Sequence, residues 1–211
     1  MYMDTSSGDY PLSEQQVRTA LPAGATLPRD AGARDAFYAA RGFAPVRRTT
    51  APDHDAVTER AVEGTPAQAD DGTWHQTWTV EDRPLEEARA RVLADLADRR
   101  WRVETGGIAW TDSSGNTHSV PTDRDGRPDA REYVKARDGL RPDGAGQKMA
   151  DGAWVAVSNS DMQALARAVM DHVQAAFDNE GALADQARAA ASVADLKAID
   201  RAAGWPATAG A

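Results

Sequence analysis

The chain has no cysteine. That removes disulfide staples, thiolate zinc sites, iron–sulfur clusters and cysteine nucleophiles together. Long apolar runs are missing as well: nothing approaches the roughly 20 residues that a spanning helix needs, so no membrane insertion is expected. The opening, Met1-Tyr2-Met3-Asp4-Thr5-Ser6-Ser7-Gly8-Asp9, is polar and acidic, the opposite of a secretory leader. Basic blocks are short, Arg47-Arg48 and Arg99-Arg100 being the longest. With 24 basic against 33 acidic residues and a formal charge of −9, the surface repels phosphate, and no nucleic-acid partner is expected. Histidine is scarce: His54, His75, His118 and His172 are scattered, with no close pair and no HExxH. Each reads as a surface or hydrogen-bonded side chain rather than a metal ligand.

What is there divides into two textures. The 211 residues are 41% hydrophobic with a mean hydropathy of −0.59, which allows one domain with an extension, or two small domains, around a modest core. Six of the eleven prolines fall before residue 67, and all six tryptophans lie after residue 73. Residues 1–70 therefore read as an extended, proline-rich N-terminal arm, 71–206 as the folded body and 207–211 as a tail. In the arm, Ser13 and Gln16 fit a capping box for a helix that Pro22 must stop near Leu21. Asp30 to Arg41 predicts a second short helix, ended by Gly42. Thr49 to Gln68 predicts loop or isolated strand.

In the body, Thr73 to Val80 alternates as a strand with Trp74, Gln76, Trp78 and Val80 on one face. A helix over 84–104 follows, with Asp82 as its cap, Pro84 in its first turn, and Leu85, Ala88, Val92, Leu96 and Val103 along one stripe. Acidic residues crowd its start and arginines its end, and Glu87–Arg91, Asp95–Arg99 and Asp98–Arg102 are spaced for i,i+4 pairing. Gly106-Gly107 stops it. Hairpins are expected around Ser113-Ser114-Gly115 and Asp151-Gly152, with a short helix over 128–139 between them. Ser160 reads as the cap of a long helix reaching about Ala191, weakened at Gly181, and Ser192 as the cap of a last one ended by Gly204, after which Trp205-Pro206 folds away. The class is α+β: short antiparallel strands packed on helices, ending in a long helix and a short C-terminal helix.

Several of these stretches carry a resemblance. Arg99-Arg100-Trp101-Arg102-Val103-Glu104-Thr105-Gly106-Gly107-Ile108 is similar to the opening of an uncharacterised domain found in bacteriophage tail and tail-fibre-associated proteins. Thr122-Asp123-Arg124, Asp151-Gly152-Ala153-Trp154-Val155, His172-Val173-Gln174-Ala175-Ala176-Phe177, Ser192 to Asp200 and Trp205-Pro206 follow in the same order. Upstream, Asp71 to Trp78 resembles the segment that precedes this domain. The likeness covers roughly residues 70–206 and resides in the ordered set rather than in any one motif. Pro142-Asp143-Gly144-Ala145-Gly146 departs from it as a looser loop. The resemblance implies a tail, fibre or fibre-assembly setting; it carries no catalytic residues and no cofactor.

Chemistry-bearing patterns are thin. Asp123-Arg124-Asp125-Gly126-Arg127-Pro128-Asp129 alternates carboxylates as a calcium loop does, but its glycine comes early and Val134 stands where a bidentate glutamate belongs, so it reads as a turn with Asp125 or Asp129 capping a helix. His118 and Ser119 are strand neighbours on opposite faces and make no triad with Asp123. Gly106-Gly107 lacks the lysine and flanking strand of a phosphate loop. Glu104 and Asp123 form a carboxylate pair only if the fold joins them. No enzyme activity is expected. Trp74 and Trp78 read as packing against the 84–104 helix, with a sugar-stacking platform as the alternative. Tyr2, Tyr10, Phe37, Tyr38 and Phe43, on an arm with little core of its own, are the candidate interface; local capping of the body is their other use. The expected function is a non-enzymatic structural component of a phage tail, at the tip, baseplate or fibre. It would sit in the virion tail and connect through the arm to other tail or fibre proteins, and to copies of itself around the axis. A fibre-assembly chaperone absent from the finished particle is the alternative.

Overall fold

A computed structural model describes residues 1–209. They form two compact units, Met1–Arg83 and Pro84–Ala211, each described in turn. The class is α+β.

The first unit corrects the expected arm, because it is folded on its own core. Its elements are β1 (Tyr2–Asp4), α1 (Glu14–Ala20), α2 (Ala31–Ala39), β2 (Phe43–Arg47), β3 (Glu59–Gln68) and β4 (Trp74–Asp82). Ser13 caps α1 and completes the capping box with Gln16, and the helix stops at Leu21, before Pro22. Asp30 caps α2 by accepting from the Ala33 N–H at 2.8 Å. The four strands form one sheet in the order β1-β2-β4-β3. β1 runs antiparallel to β2, β2 parallel to β4, and β4 antiparallel to β3 from Glu59–Asp82 to Gln68–Trp74, with a slip between Gly64 and Ala67.

The boundary therefore falls at 83/84 rather than at 70. The turn at 70–72 joins two paired strands and is not a linker. Tyr2, Val17 and Tyr38 are buried from three separate elements, with Leu12, Leu21, Leu27, Phe37 and Phe43 packed around them. No single window of sequence shows that core, because each element contributes one or two side chains to it. Burying one such side chain is worth about 1.5–3 kcal/mol, and several converge here from separate elements.

The second unit contains α3 (Leu85–Thr105), β5 (Ile108–Thr111), β6 (Thr117–Val120), α4 (Ala130–Arg137), β7 (Gly146–Lys148), β8 (Trp154–Ala156), α5 (Asn159–Ala189) and α6 (Val193–Ala198). Both expected hairpins are present, β5–β6 and β7–β8. α3 packs against α5 and α6, and α4 against α5. α3 buries Ala88, Val92 and Leu96 as its stripe predicts, with Glu104 buried beside them and Leu85 and Val103 half-buried. A second cluster joins Ile108, Trp110 and Val120 of the first hairpin to Met149, Val157, Met162, Leu165 and Val169.

Some local expectations change. Pro84 stands at the cap position of α3 without a side-chain hydrogen bond, because Asp82 is spent in β4. Glu87–Arg91 and Asp98–Arg102 pair as spaced; Asp95 instead takes Arg201 at 3.2 Å, since the chain end returns over α3. α5 is capped by Ser158, which accepts from the Asp161 N–H at 3.0 Å, two residues before the expected Ser160. It runs on through Gly181. Arg89 donates to the carbonyls of Ala187 and Ala190 and so closes the C-terminal end of α5. Trp205 is tied back through its indole N–H to the Arg201 carbonyl at 2.9 Å. In the expected tail, Ala209 donates to the Gly107 carbonyl at 3.0 Å; residues 210 and 211 lie outside the described residues. Of the six tryptophans, Trp110 is buried, Trp74, Trp78 and Trp205 are half-buried, and Trp101 and Trp154 are exposed.

Candidate functional site

The five aromatics singled out above divide. Tyr2 and Tyr38 are buried and meet edge to face at 5.3 Å, with Phe37 and Phe43 packed on them. The Tyr2 hydroxyl donates to Asp35 at 2.7 Å, and burial together with that carboxylate pushes its pKa well above the usual phenol value. The Tyr38 hydroxyl reaches Glu14. Tyr10 stands apart and donates to Glu63; burial, then that hydrogen bond, raise it to about 12. Tyr2 and Tyr38 thus build the first unit's interior, and Phe37 and Phe43, half-buried, pack against them. The reason is that the sheet and two helices converge where sequence reading saw a chain without a core. Trp74 and Trp78 ride on β4 of this unit, where the Trp78 indole donates to Thr49.

Most of the second unit's polar side chains are engaged in holding it together. Glu104 is buried at 3% exposure, paired with Arg100 and, at 3.5 Å, with Arg127. Arg100 also reaches Glu180 at 3.0 Å and lies over the Phe177 ring. His172 is buried, with Nε2 bonded to the Val103 carbonyl at 2.9 Å, and His118 Nε2 pairs with Asp112. Asp129 caps α4. Asp123 accepts from the N–H groups of Asp125 and Gly126, the geometry of a tight turn. Glu104 and Asp123 are thus engaged separately. No group of three potential metal-ligating side chains converges among the described residues.

One surface of this unit is open. A groove of about 520 Å³ lies between the loop after β6 and the β7–β8 ribbon, within the range of ligand sites. Its first wall is Pro121, Asp123, Asp125 and Gly126. That wall is fastened: Thr122 is fully buried and accepts from the Gly107 N–H at 2.9 Å, Pro128 is fully buried, and Arg127 faces Glu104. Gly126 lies so close to Pro121 that a Cβ there would come within 3.0 Å of its ring. The second wall is the ribbon, held to the core by buried Met149 and by the Ala150 N–H on the Ser119 carbonyl at 2.8 Å.

Alternation along the ribbon turns Val155 to the core and places Gly146, Lys148, Trp154 and Ala156 on the outer face. Trp154 is 72% exposed and lies over Gly146, where a Cβ would meet the indole Cε3 at 3.3 Å. Asp125 and Lys148 make no ion pair or side-chain hydrogen bond to each other or to other side chains among the described residues. Trp154 is not among the site residues singled out from the sequence. The signal was available, since Val155 and Val157 claim the inward positions of the same run. The first unit has a groove of about 580 Å³ as well, walled by Tyr2, Asp35, Arg47 and Trp74 among others, but its aromatic Tyr2 is committed to the core.

Comparison with known proteins bears on the second unit. A family model described as "Domain of unknown function (DUF4376)" matches residues 87–203. No curated protein matches the chain, and no solved structure does.

Proposed function

The chain belongs to the family of that uncharacterised domain, DUF4376, and from this premise, which assigns no chemistry, we propose that it is a non-enzymatic structural component of a bacteriophage tail. Its place is the virion tail, at the tip, baseplate or fibre, and its partners are other tail or fibre proteins together with copies of itself. The ordered resemblance of residues 70–206 supports the setting. The observation that carries the non-catalytic, binding half of the reading is Trp154, exposed above an open groove, while buried Glu104 is spent on Arg100 and Arg127 and buried Arg141 on backbone carbonyls. Large exposed aromatics beside a polar rim are the composition of contact surfaces.

In this proposal the front third does not grip neighbours with its aromatics, which its own interior uses; the groove of the second unit is the surface available for binding. The excess of acidic charge keeps the free subunit apart from its copies before assembly. Mass spectrometry of purified particles tests the setting. Fixed stoichiometric presence alongside the tail proteins is the expected result. Presence in infected cells with absence from finished particles overturns it in favour of an assembly chaperone.

A further inference from the structure

We propose that the groove between the 121–126 loop and the β7–β8 ribbon binds a neutral hexopyranose ring stacked on Trp154. The inference deepens the binding half of the proposed function and rests on that half alone, not on the tail setting. A pyranose presents one apolar face of C–H groups and a rim of hydroxyls, so its site needs an exposed aromatic surface beside hydrogen-bond acceptors and donors. The groove supplies each. Trp154 is exposed at 72% and is seated rather than loose, because Gly146 leaves room for the indole where a side chain would crowd it. Asp123 and Asp125 provide carboxylate acceptors for vicinal hydroxyls on the opposite wall. Lys148, the cross-strand partner of Trp154, provides the donor.

The wall geometry favours a ready-made site. Thr122, Pro128 and Arg127 pin the loop, and Met149 and Ala150 pin the ribbon, so little ordering remains to oppose binding. The charges decide between ligand classes. A cationic side chain would also suit an indole with two carboxylates, but Lys148 stands on the same face and repels it. An anionic sugar meets two carboxylates against one ammonium. A neutral ring can hydrogen-bond all three groups and adds no charge of its own.

Amide and indole NMR spectra of the full chain provide the test, with each indole assigned through single Trp→Phe variants. The probes are methyl glycosides of glucose, galactose and N-acetylglucosamine, with glucuronate as the anionic control and tetralysine as the cationic one. The expected result is saturable shifts, with affinity on the order of millimolar for one ring. They should be confined to the Trp154 indole and to the amides of 123–126 and 146–150, with glucuronate weaker than glucose. Trp154→Ala should weaken binding at least about tenfold with the remaining spectrum unchanged, and Trp101→Ala, a second exposed tryptophan on α3, should leave it intact. Three results overturn the proposal: no neutral glycoside moves the Trp154 indole; the shifts survive Trp154→Ala; or tetralysine moves the same residues while the glycosides do not. None of these depends on where the protein resides in the particle.

Discussion

Asp112 shows how much one side chain can fasten. It accepts from the backbone N–H groups of Ser114 and Asn116, from the Asn116 amide and from His118 Nε2, so the turn of the β5–β6 hairpin is closed by a single carboxylate. The hydrogen bond from His118 is the largest of the causes that hold its pKa down to about 2. A carboxyl depressed in the folded state stabilises above its ordinary value and loses that contribution as pH falls through the folded one. The chain should therefore lose stability between about pH 4 and pH 2, read as a falling urea midpoint, and Asp112→Asn should flatten that slope. The residues were partly legible: the turn at Ser113-Ser114-Gly115 and a hydrogen-bonded role for His118 follow from sequence, but the convergence on Asp112 needs the two strands in register. Trp154 is the converse case, an aromatic left unassigned from sequence, whose strand parity places it on the surface.

Helix ends separate what sequence specifies from what the fold decides. Ser13 and Ser192 cap as their local spacing predicts, Asp129 is the one of the two expected aspartates that caps, and Asp30 caps the helix it was expected to begin. At α5 two serines compete, and tertiary structure selects Ser158, because Asp161 must reach both its hydroxyl at 2.9 Å and the turn residue Ser113. Ser158→Ala should cost about 1 kcal/mol and Ser160→Ala less than about 0.5, compared by chemical denaturation. β3 was not legible as a paired strand. Gly64 and Pro66 interrupt its pattern, and the register slip between Gly64 and Ala67 is how the ladder accommodates a proline. The long helices were legible because a 3.6-residue period persists over many turns and outweighs one glycine.

At the scale of the whole molecule, the reading of an unstructured front third fails for a reason that composition hides. Its apolar residues are few, but β1, β2 and the two helices bring them together, and β4, lying beyond the expected boundary, extends β2 into a four-stranded sheet. Two separate interiors predict that fragments 1–83 and 84–211 each fold alone: dispersed amide spectra for the first, and a cooperative helical melt for the second. Limited proteolysis of the isolated chain should likewise cut slowly across 22–70; rapid cutting there would show that the first unit does not hold. That sheet is rimmed by β1, only three residues long, and by β3, with its slipped ladder and Pro66. Such a rim is a poor template for strand addition, so copies crowded together in a host cell should resist fibrillar polymerisation and stay available as discrete subunits.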